Sequence, residues 1–350
     1  MIRIILTSMG GLVTPSMIKS LRDYFNDIYI VGLNATEGAI GFHFADKSYI
    51  VPPGNAKNYA EEVTKIAVKE KIDFIIPLSD EETLALSKIK NKLLEKNIKV
   101  LCSDHVTCQT AFHKDKMLEF LKDNGVDVPK FRVPKNCDEL MKYAKELGYP
   151  EKKVVLKPTF SRGARGFWLM DEEYDEVYGL MKDRNRQTIK LGRVIEILSN
   201  CQEFPSLIMM DYLEGDDFNV DVLARNGESL HIIPDKRLFP KAGPVSVGQV
   251  LKDEKINELV RKIVKIFKFD YYLNIEVAYD LNKNKPMIYE INARVGAPIV
   301  INAAAGINLL AKGLEMAMGI EVGSNVKIQK TKMIRYWNEF FEYEDEFFST

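Results

Sequence analysis

Short apolar runs and longer helix-forming stretches alternate through the first hundred residues. Residues 2–6 (IRIIL) read as a buried strand running into Thr7-Ser8-Met9-Gly10-Gly11, a glycine turn, and 15–25 as the helix that follows. Residues 28–33 repeat the strand, 59–69 are helical, 74–77 are a strand, 81–96 form an amphipathic helix and 100–103 close the series. Strands alternating with helices predict a parallel sheet wound with helices. Gly10-Gly11 lacks the G-x-G-x-x-G spacing of a dinucleotide site, and no clean acidic residue follows the second strand, so a nicotinamide-dependent enzyme is disfavoured. Pro77-Leu78-Ser79-Asp80-Glu81-Glu82 falls where a parallel strand ends, the end at which open sheets take ligands. The same residues make a good helix cap, with Ser79 or Asp80 leading and acids in the first turn, and the two roles are compatible.

The pattern then changes. Residues 112–125 read as a helix with Met117, Phe120 and Leu121 on its apolar side, stopped at Gly125. Residues 154–170 read as a strand, a turn, a loop of small residues (Ser161-Arg162-Gly163-Ala164-Arg165-Gly166) and a second strand. Small residues let backbone N–H groups approach a phosphate closely. No GKS or GKT follows, which excludes a Walker loop, and the glycines do not open a helix. Residues 207–222 are a strand, a break at 214–217 and a strand. Residues 273–279 and 286–292 are two strands joined by a turn rich in Asn and Lys. A helix over 307–318 follows a small, apolar stretch. The segment 333–348, rich in Tyr, Phe, Trp and acids, reads as a strand and tail covering a sheet edge, with a partner surface as the second reading.

The paired strands carry the chemistry. Glu290 and Asn292 are two apart, so they share one face of a strand, and pairing brings Glu276 beside that face. Two carboxylates and a carboxamide make an oxygen-only site, which suits Mg²⁺, a hard cation that commonly accompanies phosphate. Arg294, again two residues on, points the same way and offers a fixed positive charge to phosphate oxygens. A solvated acidic hairpin would have the same composition, so the rest of the chain decides between the two.

Glu276, then Glu290-Ile291-Asn292-Ala293-Arg294, resembles the E…E-x-N-x-R metal signature of ATP-grasp enzymes. Val155-Leu156-Lys157-Pro158 followed by the small-residue loop is similar to the phosphate loop of that family, which implies nucleotide contacts from Lys157, Ser161, Gly163 and Gly166. Asp115-Lys116, with Gly125-Val126 and Pro129 behind it, resembles a segment whose lysine reaches the phosphates, and implies that role for Lys116. The end of the strand at 207–213 resembles the adenine edge, implying Asp211 (where glutamate is usual), Tyr212 and Leu213, with Asp217 on the ribose. Arg237, with Lys236 and Lys241 beside it, matches a basic residue near the transferred phosphate. The resemblance covers residues 2–320 and is to a single ATP-grasp unit of the carbamoyl-phosphate-synthetase large-subunit kind.

It implies α/β and α+β architecture: a Rossmann-like pre-ATP-grasp parallel sheet domain (1–108), a small lobe with the phosphate loop (109–202), a large lobe with the metal site (203–330) and a C-terminal strand and tail (331–350). It implies ATP and Mg²⁺, two ions with Mn²⁺ as an alternative. The implied activity is carboxylate–amine ligation through an acyl phosphate, with release of ADP and phosphate. Carbamoyl phosphate synthetases carry two units in tandem and a glutaminase partner; one unit and no amidotransferase motif are seen here. A phosphotransferase acting on a small molecule would use the same nucleotide site, and a non-catalytic nucleotide-binding module is disfavoured by the full metal set.

Composition narrows the partners. There are 350 residues, enough for two or three domains, and the formal net charge is −1 with no long basic block. That gives no footprint for nucleic acid or an anionic membrane, so small-molecule carboxylate and amine substrates are the expected partners, with a homodimer left open. Cys102, Cys108, Cys137 and Cys201 show no CxxC and read as free thiols of a reducing, cytoplasmic compartment. No run reaches the length of a membrane span, and the start lacks the form of a signal peptide.

Overall fold

The computed structural model describes residues 1–161, 165–182, 187–239, 245–323, 326–336, 338–343 and 346–349. The chain divides into two compact units. The first comprises Met1–Gln109, Asp217–Glu276 and Ile291–Thr350; the second comprises Thr110–Asp216 and Val277–Glu290.

In the first unit, β1 (Ile2–Leu6), β2 (Ile28–Asn34), β3 (Lys47–Ile50), β4 (Phe74–Ile76) and β5 (Lys99–Val100) form a sheet in the order β3-β2-β1-β4-β5. Every pairing in it is parallel. The period of two sends alternate residues to opposite faces. Ile4, Leu6, Ile30 and Ile76 pack with Met17, Ile18 and Leu21 of α1 (Thr14–Tyr24). Ile5, Val31, Leu33 and Ile75 pack with Tyr59 and Val63 of α2 (Tyr59–Lys69) and Leu86 and Leu93 of α3 (Asp80–Leu94). The strand order reverses between β1 and β4, so the loops after those strands, Thr7–Gly11 and Leu78–Ser79, frame the crevice where such sheets take ligands.

Ser79 stands at the cap position of α3, but its hydroxyl caps no backbone N–H. It donates instead to Glu82 Oε2 at 2.7 Å, and the same oxygen accepts from Thr7 Oγ1 and Ser8 Oγ, each at 2.6 Å. The carboxylate thus ties the first turn of α3 to the loop after β1. A cap is the local solution for an isolated helix; here a longer-range acceptor takes the hydroxyl.

The second unit contains α4 (His105–Phe112) in part, α5 (Lys114–Asp123) and α6 (Cys137–Glu146). Its sheet runs β6-β10-β7-β8-β9, from β6 (Phe131–Arg132), β7 (Val154–Pro158), β8 (Trp168–Met170), β9 (Thr188–Ile189) and β10 (Leu207–Asp211). Leu140 and Ala144 of α6 pack on Val154, Leu156, Met170 and Met209.

The third sheet is β15-β14-β11-β12-β13-β16, built from β11 (Asp217–Arg225), β12 (Glu228–Phe239), β13 (Val247–Val250), β14 (Tyr271–Asp280), β15 (Lys285–Asn292) and β16 (Lys332–Ile334). It belongs to the first unit except for the outer part of the β14–β15 hairpin, Val277–Glu290, which belongs to the second. The fold is therefore a mixed α/β one, a parallel sheet followed by antiparallel and mixed sheets. Among the described residues no single helix is long and apolar enough to cross a membrane.

Candidate active site

One face of the third sheet is polar where a core would be apolar. On β11, Asp217, Asn219 and Asp221 alternate toward that face; on β12, Asp235 and Arg237 lie across from them, Asn219 opposite Asp235. Arg237 sits beside a register shift between β12 and β13, the kind of irregularity that re-aims a side chain. Its Nε is 3.1 Å from Asp217 Oδ2 and its Nη2 3.7 Å from Glu276 Oε2. The expected ribose residue and the expected acceptor arginine are thus an ion pair, and Glu276 shares the guanidinium.

Asn292 Nδ2 donates to Glu276 Oε1 at 3.3 Å, so two of the three expected metal ligands are in contact within the first unit. Arg294 donates from Nη2 to Asn292 Oδ1 at 3.0 Å, from Nη1 to the Val295 carbonyl at 3.0 Å and from Nε to Asp80 Oδ1 at 2.7 Å. Glu290, two residues before Asn292 on β15, belongs to the second unit.

There Glu290 Oε2 lies 3.3 Å from Lys157 Nζ and 3.5 Å from Lys114 Nζ. Lys157 also donates to the Tyr289 carbonyl, and Lys114 to that of Ser161 at 3.1 Å. Both lysines are buried, 5 % and 3 % exposed. Two buried ammonium groups converging on one carboxylate make a locally cationic floor suited to phosphate. Lys116 is exposed and is not brought to this group. Helix periodicity explains the difference: Lys114 shares the buried stripe of Met117, Leu118 and Leu121, while Lys116 projects from the opposite side. That stripe is a property of the helix sequence itself, and it sets Lys114 apart from Lys116.

Gly166 has φ +72°, and a Cβ there would come within 2.8 Å of the Pro158 ring, so that position beside β7 requires glycine. Ser161 borders the loop, and Gly163 lies outside the described residues. Asp211 ends β10; its carboxylate accepts from the Lys130 N–H at 3.2 Å, and burial raises its pKa. Tyr212 and Leu213 follow the strand's end, half-buried.

Two features of the polar face were not anticipated. Asp221 is fully buried and accepts from Asn274 Nδ2 and Asn302 Nδ2 at 2.8 and 2.9 Å, yet burial still lifts it to about 6. Asp235 is 1 % exposed, and among the described residues neither of its oxygens has a hydrogen-bond partner. Burial and the Asp221 charge lift it to about 7 against the pull of Arg237; the Gln249 N–H pulls the same way as Arg237 without reaching hydrogen-bond geometry. Arg335 donates to the Ala297 carbonyl at 2.7 Å and feels Asp235, so a third cation, after Arg237 and Arg294, joins this unit's site from outside any recognised motif.

The sign of the Asp235 effect follows from linkage. The unfolded chain loses this proton near pH 4 and the folded chain near 7, so between them folding takes up a proton and stability falls as pH rises. Asp235→Asn should therefore leave stability nearly unchanged at pH 4 and raise it at pH 8, by on the order of 4 kcal/mol. Chemical denaturation at the two pH values measures this; an equal change at both would contradict it.

Within the first unit the donors available to a metal are oxygen-only, the Glu276 carboxylate and the carboxamide of a 4 % exposed Asn292. Among the described residues no cluster of three His, Cys, Asp or Glu side chains forms a rival site. Those donors fit Mg²⁺, which keeps several waters and shares phosphate oxygens rather than demanding an all-protein cage.

Comparison with known proteins agrees with this architecture. Residues 203–340 match the family model described as ATP-grasp in the biosynthetic pathway with Ter operon, and residues 4–101 match the PylC-like N-terminal domain. The chain thus carries an ATP-grasp domain over residues 203–340 and a PylC-like N-terminal domain over 4–101. It is homologous to the carbamoyl phosphate synthase large chain of Pseudothermotoga lettingae, 24 % identical over 328 residues. That match takes in 89 % of this chain but 26 % of the relative, so the chain spans about a quarter of it. The carbamoyl-phosphate synthase of Methanobrevibacter smithii is 23 % identical, over 85 % of this chain and 77 % of that one. Among solved structures, N5-carboxyaminoimidazole synthetase from Staphylococcus aureus, complexed with ADP, shares the fold with a TM-score of 0.70. That likeness is at 16 % identity and covers 93 % of this chain and 80 % of that one. The biotin carboxylase domain of Hydrogenobacter thermophilus 2-oxoglutarate carboxylase, a dimer with MgADP and bicarbonate, follows at 0.67 and 18 % identity, over 93 % and 72 %.

Proposed function

We propose that this protein is an ATP-dependent carboxylate–amine ligase. A carboxylate oxygen of one substrate attacks the γ-phosphorus of ATP, the bond to ADP breaks, and an acyl phosphate forms. The amine then attacks the acyl carbon, phosphate leaves, and the amine's proton passes to solvent or a nearby base. The observation that carries the reading is the cationic floor of Lys114 and Lys157 on Glu290, on the same strand as Asn292.

Glu276, Glu290 and Asn292 are the residues that would hold Mg²⁺, with two ions in the full reading and Mn²⁺ as a substitute. When bound, the metal supplies charge neutralisation at the phosphate oxygens. Lys114, in place of Lys116, and Lys157 steady the phosphates, and Arg294 adds a fixed charge. Asp211, Tyr212 and Leu213 take the adenine edge, Asp217 the ribose. A reducing compartment such as the cytoplasm suits the four free cysteines, and a homodimer is the proposed assembly.

The test is ADP release screened against small carboxylates and amino acids, singly and in pairs. Release that needs a carboxylate and an amine together supports ligation; a phosphorylated product formed without amine makes the protein a phosphotransferase. Arg237 gives a finer check. Its guanidinium already spans Asp217 and Glu276, and its planar fork matches an acyl phosphate. Arg237→Ala should leave ATP affinity within about threefold and lower kcat/KM by about a hundredfold, because its charge is needed as the acyl phosphate forms. Calorimetry and a coupled assay measure the two; unchanged kcat/KM would make Arg237 a scaffold residue.

A further inference from the structure

We infer that Asp80 is a positioning residue for Arg294 and, through it, for the carboxamide oxygen of Asn292. The inference rests on the ligase reading above and deepens it.

Asp80 is the first residue of α3, at the C-terminal end of the parallel sheet, and Arg294 lies 214 positions further along the chain. Both belong to the first unit. Their contact is a charge-assisted hydrogen bond of 2.7 Å, with Asp80 4 % and Arg294 15 % exposed at the side chain. Such a pair, largely shielded from water, is both strong and directional. It is also held from behind. Glu82, two residues on, gathers the hydroxyls of Thr7, Ser8 and Ser79 on one oxygen, which fixes the first turn of α3.

The direction matters because of what Arg294 does with its other nitrogens. Nη2 donates to Asn292 Oδ1, the atom expected to face the metal. An amide oxygen has two lone pairs, so it can accept this bond and still bind a cation. Asn292 Nδ2 in turn donates to Glu276 Oε1, which orients the amide so that its oxygen, not its nitrogen, is turned to Arg294. The chain of contacts therefore runs from Asp80 through Arg294 and Asn292 to Glu276. Remove the carboxylate and the guanidinium loses its charge-assisted anchor on α3, while its bonds to the Val295 carbonyl and the Asn292 amide remain. It regains rotamer freedom, and the amide loses its fixed neighbour.

The test is Asp80→Asn, which keeps the shape and removes the charge. Expected is a fall in kcat for ADP release of about ten- to a hundredfold, the usual effect of losing a partner behind a ligand. The Mg²⁺ concentration for half activation should rise, with KM for ATP within about threefold and the melting midpoint unchanged. Asp80→Asn should add little in an Arg294→Lys background, because both changes act on one group. If Asp80→Asn does not fold, Asp80→Glu, which keeps the charge and moves it one methylene out, is read by the same criteria. Unchanged kcat and Mg²⁺ dependence, or losses that multiply with Arg294→Lys, would overturn the inference. The paired-substrate screen run alongside separates the two levels. Wild-type ADP release that does not need a carboxylate and an amine together sinks the ligase reading itself, whereas paired release beside a wild-type-like Asp80→Asn sinks only the role of Asp80.

Discussion

Glu290→Gln should remove ADP release, by about a hundredfold or more, while the protein stays folded. Two arguments meet at this carboxylate. It is one of the two charged donors expected to hold the metal, and it is the shared counter-ion of Lys114 and Lys157. Glutamine keeps the volume and one oxygen but carries no charge. The metal then loses an anionic ligand, and raising Mg²⁺ recovers only part of the rate. The fold should tolerate the change, since the site is half-buried and the strand's ladder is untouched. Circular dichroism and a melting curve confirm folding; a coupled assay across Mg²⁺ concentrations gives the rate. Wild-type turnover at saturating Mg²⁺ would remove Glu290 from the metal site.

The second large effect separates two lysines two residues apart. Lys114→Met should lower kcat/KM for ATP by about a hundredfold, and Lys116→Met should change it less than about twofold. Methionine keeps much of the aliphatic stem, so the buried stripe with Met117, Leu118 and Leu121 stays filled while the ammonium is lost. Lys114 faces Glu290 and the Ser161 carbonyl; Lys116 faces solvent. The opposite ranking would restore the motif register that the Asp115-Lys116 pair suggests.

That contrast shows where the sequence was legible and where it was not. The hairpin was readable to within two residues at each end: 273–279 and 286–292 became Tyr271–Asp280 and Lys285–Asn292. Alternation with β-branched and aromatic residues is a local signal and needs no partner to be seen. The parallel sheet was readable for the same reason, except for β3, whose four residues are exposed or half-buried and lack an apolar run. Asp217 and Arg237 were each singled out by a separate motif, but nothing local says that they are ion-paired across two strands. The Asp80–Arg294 bond and the buried pair Asp221 and Asp235 depend on sheet order and on helices arriving from distant parts of the chain. Lys114 was within reach, because its position on the apolar stripe is a property of the helix alone.

The central claim is that ATP is spent on a carboxylate. It is tested most directly by supplying the carboxylate found in the paired screen with ¹⁸O in both oxygens and following the released phosphate by ³¹P NMR. The account predicts one ¹⁸O in phosphate for each turnover, because the acyl phosphate leaves with an oxygen that began in the substrate. Phosphate carrying only unlabelled oxygen, with product formed at the normal rate, would contradict it.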